Sequence, residues 1–543
     1  MIGIGIGLVG GSVTSQLPFR FTINTNNTSA GSSASNQFKL PLVSSGTLNA
    51  VVNWGDGTSS TITAWNQAEV THTYAIAGLY DVRITGVLRG WRFNNTGDRL
   101  KILNIISWGI YTETGYSGFE GAFWGCSNMN SSATDKPSLL QGTLWNFFRG
   151  CSSFNGNIGN WNMSQVAEVK NFFNGCGNFN QDISGWNVSN VTNMEEMFSN
   201  APSFNQNIGA WNVSNVSNFI AMFLNATAFN NGGSADINNW SIKTTGTVSM
   251  SYMFYNASTF NQNIGSWNTS AVTNMANMFQ SATAFNQNIG NWNTSSVTNM
   301  SSMFQGSSFN QNINTKIVNA GLPNEYIAWD IYNVTTLSSM FKFNYSFNQP
   351  IGNWNTSAVR YMSNMFEGSG NATPFNQDIS AKSVTIGTKT YNAWNVSNLL
   401  DTQRMFFLCR FNQPIGNWNT SAVTNMAEMF RDGRGFNQPI NSWNVSNVTN
   451  MFAMFYEADS FNQNIGSWNV SNVTNFTDFM GARFPASYSA ANLDAIYNGW
   501  SSRPVQPNLS ISFGSIKYTA EGQAGKNILD FAPNNWTLVD GGI

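Results

Sequence analysis

Phe179 to Phe204 reads FNQDISGWNVSNVTNMEEMFSNAPSF, and Phe204 then opens the same paragraph again. Its tryptophan returns at Trp161, Trp186, Trp211, Trp240, Trp267, Trp292, Trp329, Trp354, Trp394, Trp418, Trp443 and Trp468, most often at an interval of 25 residues. A fixed period of this length marks a solenoid, in which one repeat cannot bury its own apolar face and stacked neighbours supply the core. Val188, Val191, Met194, Met197 and Phe198 put apolar residues at about every third position, which predicts a tight helical or 3₁₀-like turn with one inward face. Phe204 to Ile208 is short and extended and is expected to be one rung of a parallel sheet.

The tryptophan column is expected to stack along the body, each pair adding ~0.5 to 1.5 kcal/mol beyond area burial. An open tryptophan face would instead suit a carbohydrate, but a tryptophan in every turn reads as packing. Asn162, Asn187, Asn212, Asn268 and Asn293 follow their tryptophans and are expected to form an amide ladder, each donating to the turn below. Asn187-Val-Ser and Asn190-Val-Thr also match the N-glycosylation acceptor pattern, here a by-product of the repeat.

With 543 residues, 9% of them charged and a net charge of -2, the chain has no field to draw it to nucleic acid or an anionic membrane. No apolar run reaches the roughly 18 residues of a membrane-spanning helix. Met1 to Ser12 is apolar but lacks the basic start and cleavage site of a secretory signal, so a chain made without a leader is expected. Cys126, Cys151 and Cys176 sit one period apart, in the slot that Ala201, Ala226, Ala257 and Ala282 fill later and Cys409 fills again. They read as small buried hydrophobes, although neighbours about 5 Å apart leave a disulfide open. With one histidine and no Cys-x-x-Cys, neither a metal site nor a cofactor is expected.

Ahead of the repeats, Phe19–Ile23, Phe38–Leu42 and Tyr80–Ile84 alternate as strands with one buried face, and a small antiparallel sandwich over residues 17–100 is expected. Within it, Val52-Asn-Trp-Gly-Asp-Gly-Thr58, then His72-Thr-Tyr-Ala-Ile-Ala-Gly78 and Tyr80-Asp-Val82, resembles the polycystic-kidney-disease (PKD) type of immunoglobulin-like domain. Asp56 between two glycines suits a hairpin turn; one carboxylate is too few for a calcium site. His72 has no nucleophile in a recognisable motif beside it and reads as a turn or core residue.

Taken with the junction Phe93–Asp98 and Gly121-Ala-Phe-Trp-Gly-Cys126, the F-N-Q-x-I-x-x-W-N-x-S-x-V-T-N-M-x-x-M-F repeats resemble the BspA-like leucine-rich-repeat surface proteins of bacteria and bacteriophages. The resemblance implies a right-handed solenoid used in adhesion or recognition. The fold expected is therefore mainly β: an N-terminal docking segment (1–16), the PKD-like sandwich (17–100), a leucine-rich-repeat-like solenoid of about 14 short helical turns (101–480) and a C-terminal α/β cap (481–543). In the cap, Ser489 to Trp500 and Ala520 to Leu529 have helical spacing, and Asn508 to Phe513 reads as a strand. A solenoid end exposes strand edges and requires such a cover.

The interruptions say more about function than the repeats do. The connection from phenylalanine to tryptophan, Phe154 to Trp161 in a regular turn, lengthens at Phe309–Trp329 and again at Phe375–Trp394, entering the repeat at the same point. Loops Asn314–Ala328 and Ser380–Ala393 are expected to leave one edge two turns, roughly 10 Å, apart. They concentrate Lys316, Glu325, Tyr326, Lys382, Lys389 and Tyr391, a candidate surface for a partner or glycan, with neutral loop growth the alternative.

Paired carboxylates of a polysaccharide-cleaving enzyme are the catalytic reading to weigh. Glu195 with Glu196, Asp378, Glu428 with Asp432, and Glu457 with Asp459 read instead as a solvated surface, and no catalytic residue is expected. The function expected is a non-enzymatic, virion-associated adhesion protein of a bacteriophage, made in the host cytoplasm; a structural decoration protein and a bacterial cell-surface adhesin are the alternatives. Its partners would be a host surface protein or glycan, and other virion proteins reached through the head and a docking strand of Ile2, Ile4, Ile6, Leu8 and Val9. No nucleic acid and no membrane insertion are expected, and a homo-oligomer is compatible with the reading.

Overall fold

Along β1 (Phe19–Asn24) the residues alternate between fully buried Phe19, Phe21 and Ile23 and half-buried Arg20, Thr22 and Asn24, the two-residue period of a strand with one inner face. The computed structural model describes residues 16–113 and 120–543, so the apolar segment of Ile2, Ile4, Ile6, Leu8 and Val9 lies outside the described residues. The chain forms two compact units, Met1–Asn190 and Val191–Ile543. Among the described residues it is mainly β, with no closed barrel and two α-helices.

In the first unit β1 is followed by β2 (Gln37–Lys39), β3 (Leu48–Asn53), β4 (Ser59–Ile62), β5 (Thr71–Thr73), β6 (Leu79–Leu88) and β7 (Ile102–Ser107). One antiparallel sheet runs β4-β3-β6-β1-β7, and Asn130–Ser131 joins its β7 edge in parallel. The β2–β5 pair is separate, with the Phe38 ring 5.9 Å from Phe21. Sheet hydrogen bonding thus crosses residue 100, where the sequence reading ends the head. A wholly buried ion pair sits at that crossing: Lys101 Nζ lies 3.3 Å from Asp98 Oδ1 and donates to the carbonyls of Ser33, Ala34 and Gln37. Asp98 in turn accepts the backbone N–H groups of Ser33 and Lys39. Burial pulls the Lys101 ammonium below its usual range, against the opposing charge of Asp98.

Trp54 in the head is buried, donates from Nε1 to Ser60 Oγ, and stacks on His72 at 4.8 Å. Asp56 accepts the N–H and the hydroxyl of Thr58 and pairs with His72 Nε2 at 2.7 Å, between Gly55 and Gly57 at φ 85° and 92°. Burial raises the Asp56 carboxyl, but these bonds outweigh it and hold the group at about 2.

The second unit is built from repeats joined by hydrogen bonds. Parallel bridges link Asn193, Asn218 and Ser249, and the series Asn274, Asn299, Thr336, Tyr361, Asp401, Asn425, Asn450 and Asn475 carries on from there. The rung therefore falls at Thr-Asn-Met, not at Phe204–Ile208 as the sequence suggests. At F-N-Q a side chain takes the place of a backbone rung: the N–H groups of Asn230, Asn286 and Asn310 donate to Oδ1 of Asn205, Asn261 and Asn286. This is one amide ladder of the molecule, and a second runs through Asn200, Asn225 and Asn256, each later Nδ2 donating to the Oδ1 of the repeat before. The asparagine after each tryptophan behaves otherwise, because its Oδ1 folds back on its own repeat: Asn212, Asn268 and Asn293 accept from the N–H groups of Ser214, Ser270 and Ser295.

The M-x-x-M-F segment is not a helix. Met194, Glu196, Phe198 and Asn200 donate their N–H groups to Asn218, Ile220, Met222 and Leu224 of the next repeat. The intervening Met197, Ser199 and Ala201 donate three residues back within their own turn. A helix keeps every bond to itself and leaves none for a neighbour; alternating the two directions requires left-handed residues, here Glu196 and Asn200 at φ 54°, then Ala221 and Asn225 at 52° and 57°. The first unit uses the same device, with Asn146, Phe148 and Gly150 donating onward to Lys170, Phe172 and Asn174.

Side chains inside follow the backbone in columns. Phe254, Phe279, Phe304 and Phe341 stack at 5.6, 5.8 and 5.7 Å. Trp329, Trp354, Trp394 and Trp418 stack at 6.3, 6.3 and 6.0 Å, and each indole N–H donates to an isoleucine carbonyl of an earlier repeat, as from Trp354 to Ile313. With exposures of 0 to 3% in Trp161–Trp468, these faces are closed to a sugar. The four cysteines are buried and unpaired; Cys151 and Cys176 donate to the carbonyls of Phe123 and Phe148. Burial pushes the Cys409 thiol up to about 11.

Helix α1 (Ala490–Ser501) is capped by Ser489 and continues both columns: Trp500 Nε1 donates to Ile465, and the Ser489 N–H to Asn462 Oδ1. Ser510–Ser512 pairs in parallel with Thr537–Val539 and is bridged to Phe476 through Ile511, while α2 (Gln523–Asp530) is fixed by Lys526 on Asp540 at 2.7 Å. Buried Arg483 fills the junction and donates to the carbonyls of Ala458 and Phe461 in the last repeat and of Ser487 in the cap.

Candidate functional site

Both insertions fold as antiparallel hairpins. The first pairs Lys316–Val318 with Tyr326–Ala328, and the second pairs Lys382–Ile386 with Lys389–Ala393 across Gly387 at φ 61°. Each is tied to the repeats by its tyrosine: the hydroxyls of Tyr326 and Tyr391 donate to the carbonyls of Asn291 and Asn353, both at 2.6 Å. Burial pushes the Tyr391 hydroxyl up to about 12 and Tyr326 upward as well.

The hairpins converge. A Cβ on Gly387 would come 2.9 Å from Ile317 Cδ1, so the tip of the second hairpin rests on the first. Lys389 Nζ on the second lies 3.4 Å from Asp330 Oδ2, just beyond the end of the first. Between them are two adjoining cavities. One of about 290 Å³ is lined by Ile317, Glu325, Tyr326, Asp330, Ile386 and Lys389, and one of about 510 Å³ by Asp330, Tyr332, Asn355, Thr388, Lys389 and Tyr391. Asp330 and Lys389 stand on the boundary that the two share.

Of the six residues marked by the sequence, Glu325, Tyr326, Lys389 and Tyr391 meet here. Lys316 lines neither cavity. Lys382 pairs with Asp378 at 2.7 Å along a different recess; burial raises that carboxyl, but Lys382 and Ser380 hold it below its ordinary value. The tyrosines act as tethers, and Glu325 is partly occupied by the Gly321 N–H of its own loop. The two residues that sequence reasoning missed are Asp330 and Tyr332. Their signal was available: from Trp161 to Trp468 each repeat tryptophan is followed by Asn-x-Ser except at Trp240 (Ser241-Ile242-Lys243) and Trp329 (Asp330-Ile331-Tyr332).

The acidic pairs lie elsewhere. Glu428, expected on a solvated surface, is 3% exposed because Arg404 and Arg431 cover it at 2.5 and 2.9 Å. Arg434 pairs with Glu457 at 2.8 Å, and burial together with Glu457 raises the Asp432 carboxyl. Among the described residues, no three His, Cys, Asp or Glu side chains gather where they could hold a metal ion, and no helix is long and apolar enough to cross a membrane.

No curated protein matches the chain, and no solved structure does. A family described as Mycoplasma protein of unknown function, DUF285, matches residues 142–248, 233–321, 318–390 and 381–490, stretches that together cover more than half of the sequence. The turns from residue 142 to residue 490 are thus the hallmark of that family, and the chain belongs to it.

Proposed function

We propose that the chain is a non-enzymatic recognition protein displayed at a surface, with the two converging hairpins as its binding face. The stacked repeats are, on this reading, a BspA-like leucine-rich-repeat solenoid that holds the face rigid, and the head is a PKD-type immunoglobulin-like module that attaches it. The observation that carries the reading is that two insertions, separated in sequence by a regular repeat, close on one cleft. Rigid repeats with elaborated loops on one edge are the usual way such arrays bind. The parallel bridges between repeats and the Trp54–Asp56–His72–Tyr74 turn support the two fold assignments.

Display on a bacteriophage particle, with binding to the host, is the placement we put first. A cell-surface adhesin is the second reading, favoured by a family description that names a cellular organism. The test is adhesion of the purified chain to a panel of intact cells, beside a variant in which both insertions are trimmed to the connection of a regular repeat. Binding that disappears in the trimmed variant, with its melting temperature kept, is the expected result. Equal binding by both chains, or none by either, overturns the proposal.

A further inference from the structure

We infer that the cleft binds a neutral saccharide, with Tyr332 as the platform and Asp330 as the principal acceptor; this deepens the recognition reading and rests on it. The departure from the repeat is the first support. Asp330 and Tyr332 occupy the places that Asn293 and Ser295 hold one repeat before and Asn355 and Ser357 one repeat after, and they do so beside the two hairpins. The turn does not need the change, since Asp330 Oδ1 accepts the Tyr332 N–H just as an asparagine accepts in the neighbouring repeats.

The chemistry of the lining is the second support. Tyr332 is 56% exposed, a flat apolar face presented to solvent at the edge of a cavity of about 510 Å³. Beside it stand Asp330, whose side chain is 13% exposed, Lys389, whose side chain is 63% exposed, and Asn355. Among the described residues no acceptor takes the amide hydrogens of Asn293 or Asn355, whose Oδ1 atoms are used in their own turns. An aromatic face beside a carboxylate acceptor and several N–H donors complements a pyranose, which offers a C–H face and a rim of hydroxyls that both donate and accept. In the cavity beside Tyr332 the charges of Asp330 and Lys389 balance, and Glu325 of the adjoining cavity leaves the two together with one net negative charge, so a neutral sugar is favoured over an acidic one.

The experiment probes a microarray of neutral, carboxylated and amine-bearing oligosaccharides with the full chain, with Tyr332→Ala and Asp330→Asn, and with Tyr361→Ala as an exposed tyrosine that lines neither cavity. Neutral glycans should capture the full chain and Tyr361→Ala, and each cleft variant should bind about tenfold or more weakly at an unchanged melting temperature. Capture by carboxylated glycans, or neutral binding indifferent to Tyr332→Ala, overturns the inference. Intact cells separate this failure from that of the parent reading. Hairpin-dependent binding that survives periodate oxidation of cell saccharides but not protease refutes the sugar and leaves recognition standing. A chain that binds no cell refutes both.

Discussion

The repeat headed by Trp292 and the one headed by Trp329 have one interior and two exteriors. Both tryptophans are fully buried, and both indoles donate to an isoleucine carbonyl of an earlier repeat, at 3.1 and 2.9 Å. Their phenylalanines, Phe304 and Phe341, stack at 5.7 Å. Outside, Asn293 and Ser295 face Asp330 and Tyr332, with Thr294 and Ile331 between them fully buried, and a short connection faces a hairpin. Stacking fixes the inward columns because every ring must meet its copy in the next turn, whereas nothing in the stack constrains the residues that point away. Function therefore has room to enter without disturbing the core.

The hardest test of this separation is the inner column. Trp354→Ala removes a ring stacked at 6.3 Å on each side and the bond to the Ile313 carbonyl, and should cost about 3 to 5 kcal/mol in chemical denaturation. A loss below about 1 kcal/mol would mean that the repeats do not depend on this column. Of intermediate size is the contrast between two asparagines. Asn286 Oδ1 accepts the Asn310 N–H and the Gln311 side chain of the next repeat, whereas Asn293 Oδ1 serves only Ser295 in its own. Asn286→Ala should lower stability by about 1 kcal/mol and speed amide exchange at Asn310, and Asn293→Ala should leave that amide protected. The reverse pattern would return the ladder to the column beside the tryptophans.

The head carries the same division on a smaller scale, with Trp54 inward and Asp56 at the surface end of its turn. Because the folded Asp56 carboxyl titrates at about 2 against an ordinary value of 3.8, its contribution is complete above about pH 4 and disappears as pH falls through 2. Asp56→Asn should flatten that part of the acid-unfolding curve of the head, followed by Trp54 fluorescence. An acid limb unchanged by the substitution would show that the turn does not draw on this carboxylate.

The columns were legible because period alone identifies them: a tryptophan or phenylalanine at each interval has nowhere to go but against its copy. The bonding of the turns was not. Left-handed positions are usually announced by glycine or asparagine, but here Glu196, Ala221, Tyr252 and Arg404 also occupy them, held by bonds to the next repeat that no single repeat displays. Several asparagine columns share one period, so spacing could not tell those that bridge repeats from the one beside the tryptophans that folds back. The insertions marked the site, yet its two distinctive residues were overlooked because they are substitutions in the row between the loops. That the second hairpin leans onto Ile317 of the first and reaches Asp330 through Lys389 is a matter of direction, which periodicity does not encode.

The smallest expected effect is the most telling for the comparison. Asp330→Asn combined with Tyr332→Ser restores the pattern of the repeats on either side. The turn should survive, because an asparagine Oδ1 can accept the N–H that Asp330 Oδ1 accepts now. What is lost is the contact with Lys389, whose side chain is 63% exposed, and a largely solvated tyrosine ring. Stability should stay within about 0.5 kcal/mol of the parent, measured by denaturant midpoint. A loss of about 2 kcal/mol would make Asp330 and Tyr332 part of the hairpins' support and join the exterior to the fold. An unchanged or slightly higher midpoint, set beside weakened binding, is what residues held for recognition rather than for folding should show.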